Sequence, residues 1–273
     1  MSNSSSCSHN CSSCSSSCGQ RRAPQKAAPN ASSSFGKVIG VVSGKGGVGK
    51  TSVTCLLAAE LQKAGYRVGI LDADVTGPSI PKAFGAKGPL RGDDQTIFPA
   101  ETASGVKVIS TNLLLPEEDM PVAWRGPVIS GIITQFFSDV NWGEIDYLLI
   151  DMPPGTSDVL LTVLQQLPVD GIVTVSAPQE LVAMIVGKAV NLAKSMDVKV
   201  MGLVENMAYF QCDECNKKHY IFGQPQGAEV AQKYGIPSYA TLPMDPRVAS
   251  LVDKGAIAEY DAAEALKPII EIL

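Results

Sequence analysis

The chain has 273 residues, of which 45% are hydrophobic and 18% charged, and its formal net charge is −5. That length suffices for one large α/β domain with a tail, while the apolar runs are too short to span a bilayer, so we expect no membrane anchor. The mild negative charge, without a dense basic stripe, argues against a nucleic-acid partner. The chain opens with serine and cysteine rather than a basic and then apolar signal segment, which predicts a cytoplasmic protein.

Residues 1–34 differ in composition from the rest of the chain. They hold almost no apolar side chains besides thiols, so we expect them to be disordered unless a metal organises them. Residues 20–34 have the composition of a linker. Four cysteines spaced C-x3-C-x2-C-x3-C could surround a [4Fe–4S] cluster or a zinc ion, and a low-complexity tail without a metal is the alternative. These candidate ligands are Cys7, Cys11, Cys14 and Cys18, with His9 a weaker candidate.

A glycine-rich loop follows the first predicted strand, Val38–Val42, and precedes an apolar helical pattern. It satisfies the P-loop pattern Gly44-x-x-x-x-Gly49-Lys50-Thr51 in the strand–loop–helix setting that this pattern requires. Its backbone N–H groups would cradle the phosphates of ATP, Lys50 would reach the β- and γ-phosphates, and the Thr51 hydroxyl would bind Mg²⁺. A glycine-rich turn with a chance lysine is the alternative. The predicted nucleotide contacts in this loop are Gly44, Lys45, Gly46, Gly47, Val48, Gly49, Lys50, Thr51 and Ser52.

Strand and helix patterns alternate along residues 35–273, which we assign to one P-loop ATPase domain. Residues 75–103 form a looser region that is rich in Gly and Pro and interrupts this alternation. A packed helix is expected within 260–273. The further predicted strands are 66–71, 105–110, 147–150, 171–176 and 198–204, and the predicted helices are 124–140 and 180–196. This alternation predicts an α/β fold with a mostly parallel, doubly wound sheet, whose ligands bind at the carboxyl ends of the strands.

Polar side chains follow three of these strands. Asp151 comes after an apolar run as a Walker-B carboxylate does, while Asp72 and Asp74 end another strand two residues apart, where alternation points both side chains to one side. Carboxylates there should organise Mg²⁺ and water for phosphoryl transfer, although a lone aspartate at a strand end is more often a cap or turn former. Asn206 follows the strand at 198–204, and its amide could read the adenine edge or serve only as a turn residue.

A second group of thiols, Cys212-x2-Cys215, lies in a polar loop at 211–219. Two thiolates at this spacing can hold two corners of a metal, but a closed tetrahedral site needs four. A twofold homodimer would supply the missing pair, because an isologous interface presents the same patch twice. A redox-active dithiol and a zinc site completed by His219 are the alternatives.

The motifs resemble those of a known ATPase class. Lys45 turns the loop into Gly-Lys-Gly-Gly-Val-Gly-Lys-Thr, which resembles the deviant P-loop of the family containing the nitrogenase iron protein, the Min cell-division ATPase and the arsenical pump ATPase. The segments 72–79, 151–158 and 205–207, taken with the C-x2-C pair, look like the Mrp/ApbC/Nbp class of iron–sulfur carrier ATPases. This resemblance spans residues 37–273.

The resemblance implies a homodimer that binds a labile [4Fe–4S] cluster through Cys212 and Cys215 of each chain and transfers it to apo-proteins, coupled to ATP binding or weak hydrolysis. It implies that Lys45 reaches the partner's nucleotide, that Asp74 positions the attacking water, and that Asp72 and Asp151 lie on the metal side. Asn206 would contact adenine. The tail cysteines depart from the spacing of eukaryotic members. A Min/Par-type positioning ATPase is the main alternative, and a reductase is a third.

Overall fold

A central eight-stranded sheet carries the fold in the computed structural model of the protein, which describes residues 26–75, 77, 79–92, 96–114, 126–155, 157–178 and 182–273. The predicted metal site at Cys7, Cys11, Cys14 and Cys18 lies outside the described residues, as do residues 1–25 of the tail for which disorder was predicted. None of the described helices is both long and apolar enough to cross a membrane.

The elements alternate along the chain as predicted. The strands are β1 (Ser34–Ser43), β2 (Val68–Asp72), β3 (Ala100–Glu101), β4 (Lys107–Ile109), β5 (Glu144–Asp151), β6 (Gly171–Ser176), β7 (Lys199–Glu205), β8 (Phe210–Gln211), β9 (Lys218–His219) and β10 (Ser238–Thr241). The α-helices are α1 (Lys50–Lys63), α2 (Ile80–Phe84), α3 (Gly126–Ser138), α4 (Asp158–Gln166), α5 (Val182–Ser195), α6 (Gly227–Tyr234), α7 (Pro246–Lys254) and α8 (Ala263–Ile270). Short 3-10 segments cover Thr111–Leu113 and Ile257–Glu259.

The large sheet has the strand order β10-β7-β6-β1-β5-β2-β4-β3. All of its pairs are parallel except β3 with β4, which confirms the predicted mostly parallel sheet. Strands β2 and β5 run in a register that places Asp72 opposite Asp151. Because the parallel strands end at the same edge, the polar residues that follow β1, β2, β5 and β7 all reach that edge.

Apolar side chains cover both faces of the sheet, as a doubly wound fold requires. On one face α1, α2 and α8 pack against residues such as Val41 and Ile70, and on the other α3, α4 and α5 pack against residues such as Val42 and Leu148. Helix α1 is buried from Val53 to Leu61. The helix that begins at the glycine-rich loop is therefore held firmly in the core, and its amino terminus has a fixed position.

Several short elements were not predicted from the sequence. The looser region 75–103 contains α2 and β3, and the polar loop 211–219 forms the antiparallel hairpin β8–β9. These elements have five residues or fewer, too few to show a hydrophobic period. The described part of the predicted linker, residues 26–33, lies against the domain: Ala27 N–H donates to the Gln166 carbonyl at 2.6 Å, and Ser33 Oγ donates to the Val140 carbonyl at 3.2 Å. The packed region thus begins before residue 35.

Candidate functional site

The glycine-rich loop connects β1 to α1 in the geometry of a phosphate cradle. Gly47 and Gly49 have φ angles of 79° and 76°, which L side chains rarely adopt, and a Cβ on Gly49 would collide with the Asn206 amide. Gly49 caps α1 without a side chain, so no side-chain oxygen accepts from the first N–H groups of the helix. These donors and the helix dipole make the amino terminus of α1 favourable for an anion.

Lys50 and Thr51 meet the carboxylates at the strand ends. Lys50 Nζ lies 2.7 Å from Asp151 Oδ2 and 3.8 Å from Asp74 Oδ2, and Thr51 Oγ1 donates to Asp151 Oδ2 at 2.7 Å. Asp151 is fully buried and Lys50 is 6% exposed, so each charge depends on the other for compensation. Hydroxyl and carboxylate oxygens are suitable ligands for Mg²⁺, and Thr51 and Asp151 could hold the ion in this position.

Asp72 has different surroundings from its neighbours. Its carboxylate accepts hydrogen bonds from Ser110 Oγ at 3.0 Å and from the backbone N–H of Asp74 at 3.2 Å. Burial raises the pKa of Asp72 well above its ordinary value, and the nearby charge of Asp151 adds to this effect. These bonds tie Asp72 to the end of β4 and to the loop that carries Asp74. Its predicted place on the metal side stays a prediction.

Two residues that the sequence analysis did not identify support these carboxylates. Thr54 Oγ1 donates to Asp151 Oδ1 at 2.7 Å, and Ser110 donates to Asp72. Thr54 lies four residues after Lys50, so helical spacing places it on the same side of α1, but its bond to Asp151 depends on where β5 lies. No sequence signal indicates Ser110, because its contact depends on β4 lying beside β2.

Asn206 connects the end of β7 to the glycine-rich loop. Its backbone N–H donates to the Ser176 carbonyl at 2.8 Å, and its Nδ2 donates to the Val48 carbonyl at 3.0 Å. Beside it opens a groove of about 530 Å³, a volume typical of small-molecule pockets. The groove is walled by apolar side chains, among them Leu56, Met207, Leu242, Pro243, Met244, Val248 and Val252, with Ser52 and Asn206 at the loop. Apolar walls with a few polar groups are typical of small-molecule sites.

The hairpin β8–β9 presents the two predicted thiol ligands at its tip. Cys212 N–H donates to the Lys217 carbonyl at 3.0 Å, and Asn216, with a φ of 57°, donates its N–H to the Cys212 carbonyl at 2.9 Å. Cys212 is partly exposed and Cys215 is exposed. The backbone N–H groups of Cys215 and Glu214 and the thiol of Cys215 donate to the Cys212 sulfur, which lowers the pKa of Cys212. Such donors favour the thiolate that a metal requires.

The described residues of one chain supply only part of a metal site at this hairpin. Across the part of the chain that the structure describes, His, Cys, Asp and Glu nowhere gather in groups of three or more that could hold a metal ion. His219, the predicted alternative third ligand, lies on β9 opposite Phe210 and does not complete such a group. Two thiols of one chain therefore need ligands from elsewhere.

The apolar groove beside Asn206 and the cysteine hairpin share a wall. The segment Pro243–Pro246 lines the apolar groove on one side and, on the other, a second groove of about 580 Å³ that Cys212 also lines. One backbone bond joins this segment to the residues that lead into the hairpin, since Met244 N–H donates to the Tyr209 carbonyl at 2.7 Å. A second bond lies directly before the segment, where Ala208 N–H donates to the Leu242 carbonyl at 2.9 Å. A movement of this wall would therefore reach both sites.

Comparison with known proteins identifies the family. The family model described as ParA: NUBPL iron-transfer P-loop NTPase matches residues 34–273. The iron-sulfur cluster carrier protein of Clostridium perfringens is 48% identical over 241 residues, covering 85% of this chain and 84% of that protein. The protein of the same name from Methanocaldococcus jannaschii is 43% identical over 252 residues, covering 90% of this chain and 86% of that protein.

Solved structures agree with this assignment. A nucleotide-binding protein from Archaeoglobus fulgidus in complex with ADP is 46% identical, with a TM-score of 0.75, over 83% of this chain and 89% of that one. The cell division ATPase MinD of Pyrococcus furiosus, at 22% identity and a TM-score of 0.61 over 86% of this chain and 97% of that one, shares the fold. This chain belongs to the NUBPL family of iron-transfer P-loop NTPases.

Proposed function

We propose that this protein is an ATP-dependent iron–sulfur cluster carrier. Two copies hold one [4Fe–4S] cluster between their C-x2-C hairpins and deliver it to apo-proteins, and ATP binding and slow hydrolysis control the exchange. The name shared by the relatives, iron-sulfur cluster carrier protein, supports the cargo, and the ADP complex of the Archaeoglobus relative supports the nucleotide.

The observation that carries this proposal is the shared wall at Pro243–Pro246. It separates the apolar groove beside Asn206 from the groove beside Cys212. Met244 within it and Leu242 just before it form backbone bonds with residues 209 and 208, which lead into the hairpin. A base bound on one side and a cluster ligand on the other would thus contact the same four residues. Nucleotide binding and release would shift the Cys212 side and change how firmly the cluster is held.

The nucleotide chemistry follows from the groups around Lys50. Phosphate oxygens at the amino terminus of α1 would compete with Asp151 for the Lys50 ammonium, leaving Thr51 and Asp151 to hold Mg²⁺, which neutralises charge on the phosphates. Asp74, 3.8 Å from Lys50, would orient a water molecule. The water oxygen bonds to the γ-phosphorus while the bond to the bridging oxygen breaks; one water proton stays on the inorganic phosphate and the other passes to solvent, which gives ADP and phosphate. Lys45 would act on the nucleotide of the partner subunit, as the family resemblance implies.

A Min/Par-type positioning ATPase is less well supported. The MinD structures are 22% and 19% identical to this chain, so they show a shared fold but are no evidence for a shared function. Helix α8 buries Leu266 and Ile269 fully in the core beneath the sheet. The apolar side of this carboxyl-terminal helix is therefore used in packing, whereas a membrane-binding helix would present that side to lipid.

The proposal is tested by anaerobic reconstitution of the full-length chain. We expect the hairpin to hold iron and sulfide at half a [4Fe–4S] cluster per subunit, beyond any metal at the tail. We expect Cys212→Ser with Cys215→Ser to lose at least 90% of this hairpin-bound share and of transfer to an apo-ferredoxin. Cys55→Ala is the matched control, because this buried thiol lies in α1 and not at the hairpin.

A full-length variant with Ser at positions 7, 11, 14 and 18 separates the tail from the hairpin. It should keep the hairpin's half cluster per subunit. Unchanged iron and transfer in the hairpin double variant would contradict the carrier proposal at this site, whatever the tail retains.

A further inference from the structure

Three consecutive large apolar residues stand exposed directly after the cysteine hairpin. Tyr220, Ile221 and Phe222 are 39%, 59% and 46% exposed, and among the described residues no other large hydrophobics of such exposure are consecutive. Gly223 N–H donates to the Tyr220 carbonyl at 3.3 Å, so the four residues form a turn with Ile221 and Phe222 at its corners. Turn corners usually hold Gly, Pro, Asn, Asp or Ser. Apolar side chains at both corners indicate a contact surface.

The turn lies close to the thiols. The Lys217 carbonyl accepts a hydrogen bond from the Cys212 N–H. Strand β9 follows with Lys218 and His219, and the turn begins at the next residue. At about 3.3 Å per residue along a strand, three residues separate the turn from the cysteine tip by roughly 10 Å. Any partner that approaches both thiols therefore comes within reach of Ile221 and Phe222.

A twofold arrangement identifies that partner. If Cys212 and Cys215 of two chains share one cluster, the cluster lies on the twofold axis, and surface beside the hairpin faces its own copy. The hairpin tip also suits a self-contact, because exposed Asp213 and Glu214 are balanced by exposed Lys217 and Lys218. In an isologous pair the acidic half of one tip meets the basic half of the other, without net repulsion.

We propose that the turn Tyr220–Gly223 is a contact surface for a second copy of this chain and closes the seam around the shared cluster against water. The inference rests on the proposed carrier function and adds the surface that holds its dimer. The contact is isologous, so each subunit contributes Ile221 and Phe222, and the four side chains bury one another next to the four thiolates. Excluding water from the seam slows loss of the cluster.

The test compares full-length, cluster-loaded proteins by sedimentation velocity over a range of concentrations. Ile221→Ser with Phe222→Ser should raise the dimer dissociation constant at least tenfold, since four apolar side chains lose their burial. The same variant should release iron to a chelator at least several-fold faster. Phe222→Leu keeps an apolar corner and should remain close to the parent protein in both measurements.

Tyr66→Ser is the matched control. Tyr66 is 43% exposed but precedes β2, at the opposite edge of the sheet from the hairpin, so its replacement should leave the dimer unchanged. ATP binding of every variant confirms that the domain is folded.

Three results would overturn the inference. A parent protein that stays monomeric with its cluster bound would remove both the proposed homodimer and this surface. If the parent protein dimerises and the double serine variant dimerises as tightly, the shared cluster stands and the turn is not its seam. If dimerisation is unchanged and only transfer to the apo-ferredoxin falls, the turn is a surface for recipients and not for a second copy.

Discussion

The surroundings of Lys50 and the cysteine hairpin differ in how completely the described residues of one chain form each of them. Around Lys50, every charged group has its partner inside the chain: Asp151 is fully buried and accepts from Lys50, Thr51 and Thr54. The hairpin is exposed along its length from Asp213 to His219, and its strands have two residues each. The first region is preorganised by the core, whereas the second gains its missing ligands only from outside the described residues.

This difference suits a carrier. A phosphate site that must position water and metal benefits from rigid walls, because misplacement lowers the rate. A cargo site that must release its ligand benefits from exposure, since incoming thiolates have to reach the iron. We therefore expect substitutions near Lys50 to act on stability and hydrolysis together, and substitutions at the hairpin to act on the cargo alone.

The largest expected effect is on ATP hydrolysis, when the buried ion pair between Lys50 and Asp151 is removed. Lys50→Ala should lower ATP hydrolysis by about 10²–10³-fold, because the phosphates lose their main cation and Asp151 is left as a buried carboxylate without its ion pair. A steady-state phosphate-release assay measures this effect. Lys63→Ala, which removes another paired lysine from α1, should retain hydrolysis within a few-fold. Equal losses in both variants would show that Lys50 has no special role.

Gly49→Ala tests whether the loop itself is preorganised. A side chain at φ 76° is strained, and its Cβ collides with Asn206, so the free energy of unfolding should fall by at least about 1–2 kcal/mol. Urea denaturation without nucleotide measures it. Gly46→Ala is the control, because the nearest atom to its Cβ is a Pro154 carbon at 3.9 Å. A Gly49 variant as stable as the Gly46 variant would contradict the rigid-loop account.

Asn206→Ala should have a smaller effect on the same region. Loss of the bond to the Val48 carbonyl should cost about 1 kcal/mol of unfolding free energy, and ATP should bind about tenfold more weakly while the discrimination against GTP declines. Calorimetric titration with both nucleotides measures this. Weaker binding of ATP and GTP by the same factor would mean that Asn206 supports the loop but does not read the base.

The mildest prediction concerns the exposed region and its pH dependence. Donors from the hairpin backbone lower the pKa of Cys212, so its thiolate persists at a lower pH than that of an ordinary thiol. Alkylation of the metal-free protein, followed by mass spectrometry across pH, should show Cys212 reacting with a midpoint below that of a reference cysteine peptide. Cys215→Ala removes one of these donors and should move the midpoint upward. A Cys212 midpoint at or above that of the peptide would contradict this account of the hairpin.

Much of the fold was predictable because its signals are local. The strand Gly171–Ser176 was predicted with its observed bounds, since a mostly apolar, β-branched run between Asp170 and Pro178 needs no tertiary information. The P-loop pattern likewise placed Gly44 to Thr51 between a strand and a helix. The predictions were weakest in the carboxyl-terminal third, where α6, α7 and β10 are short and partly exposed.

What the sequence by itself determined about this protein is the set of local patterns: an alternating α/β chain, a P-loop with a second lysine, aspartates at strand ends and a C-x2-C pair. Only the tertiary structure decided that Thr54 and Ser110 support the carboxylates, that Asn206 bonds to the loop at Val48, and that Pro243–Pro246 separates the two grooves. The reason is sequence distance. Contacts that join residues 97 or 158 positions apart, as Thr54–Asp151 and Val48–Asn206 do, depend on strand order, which no local spacing encodes.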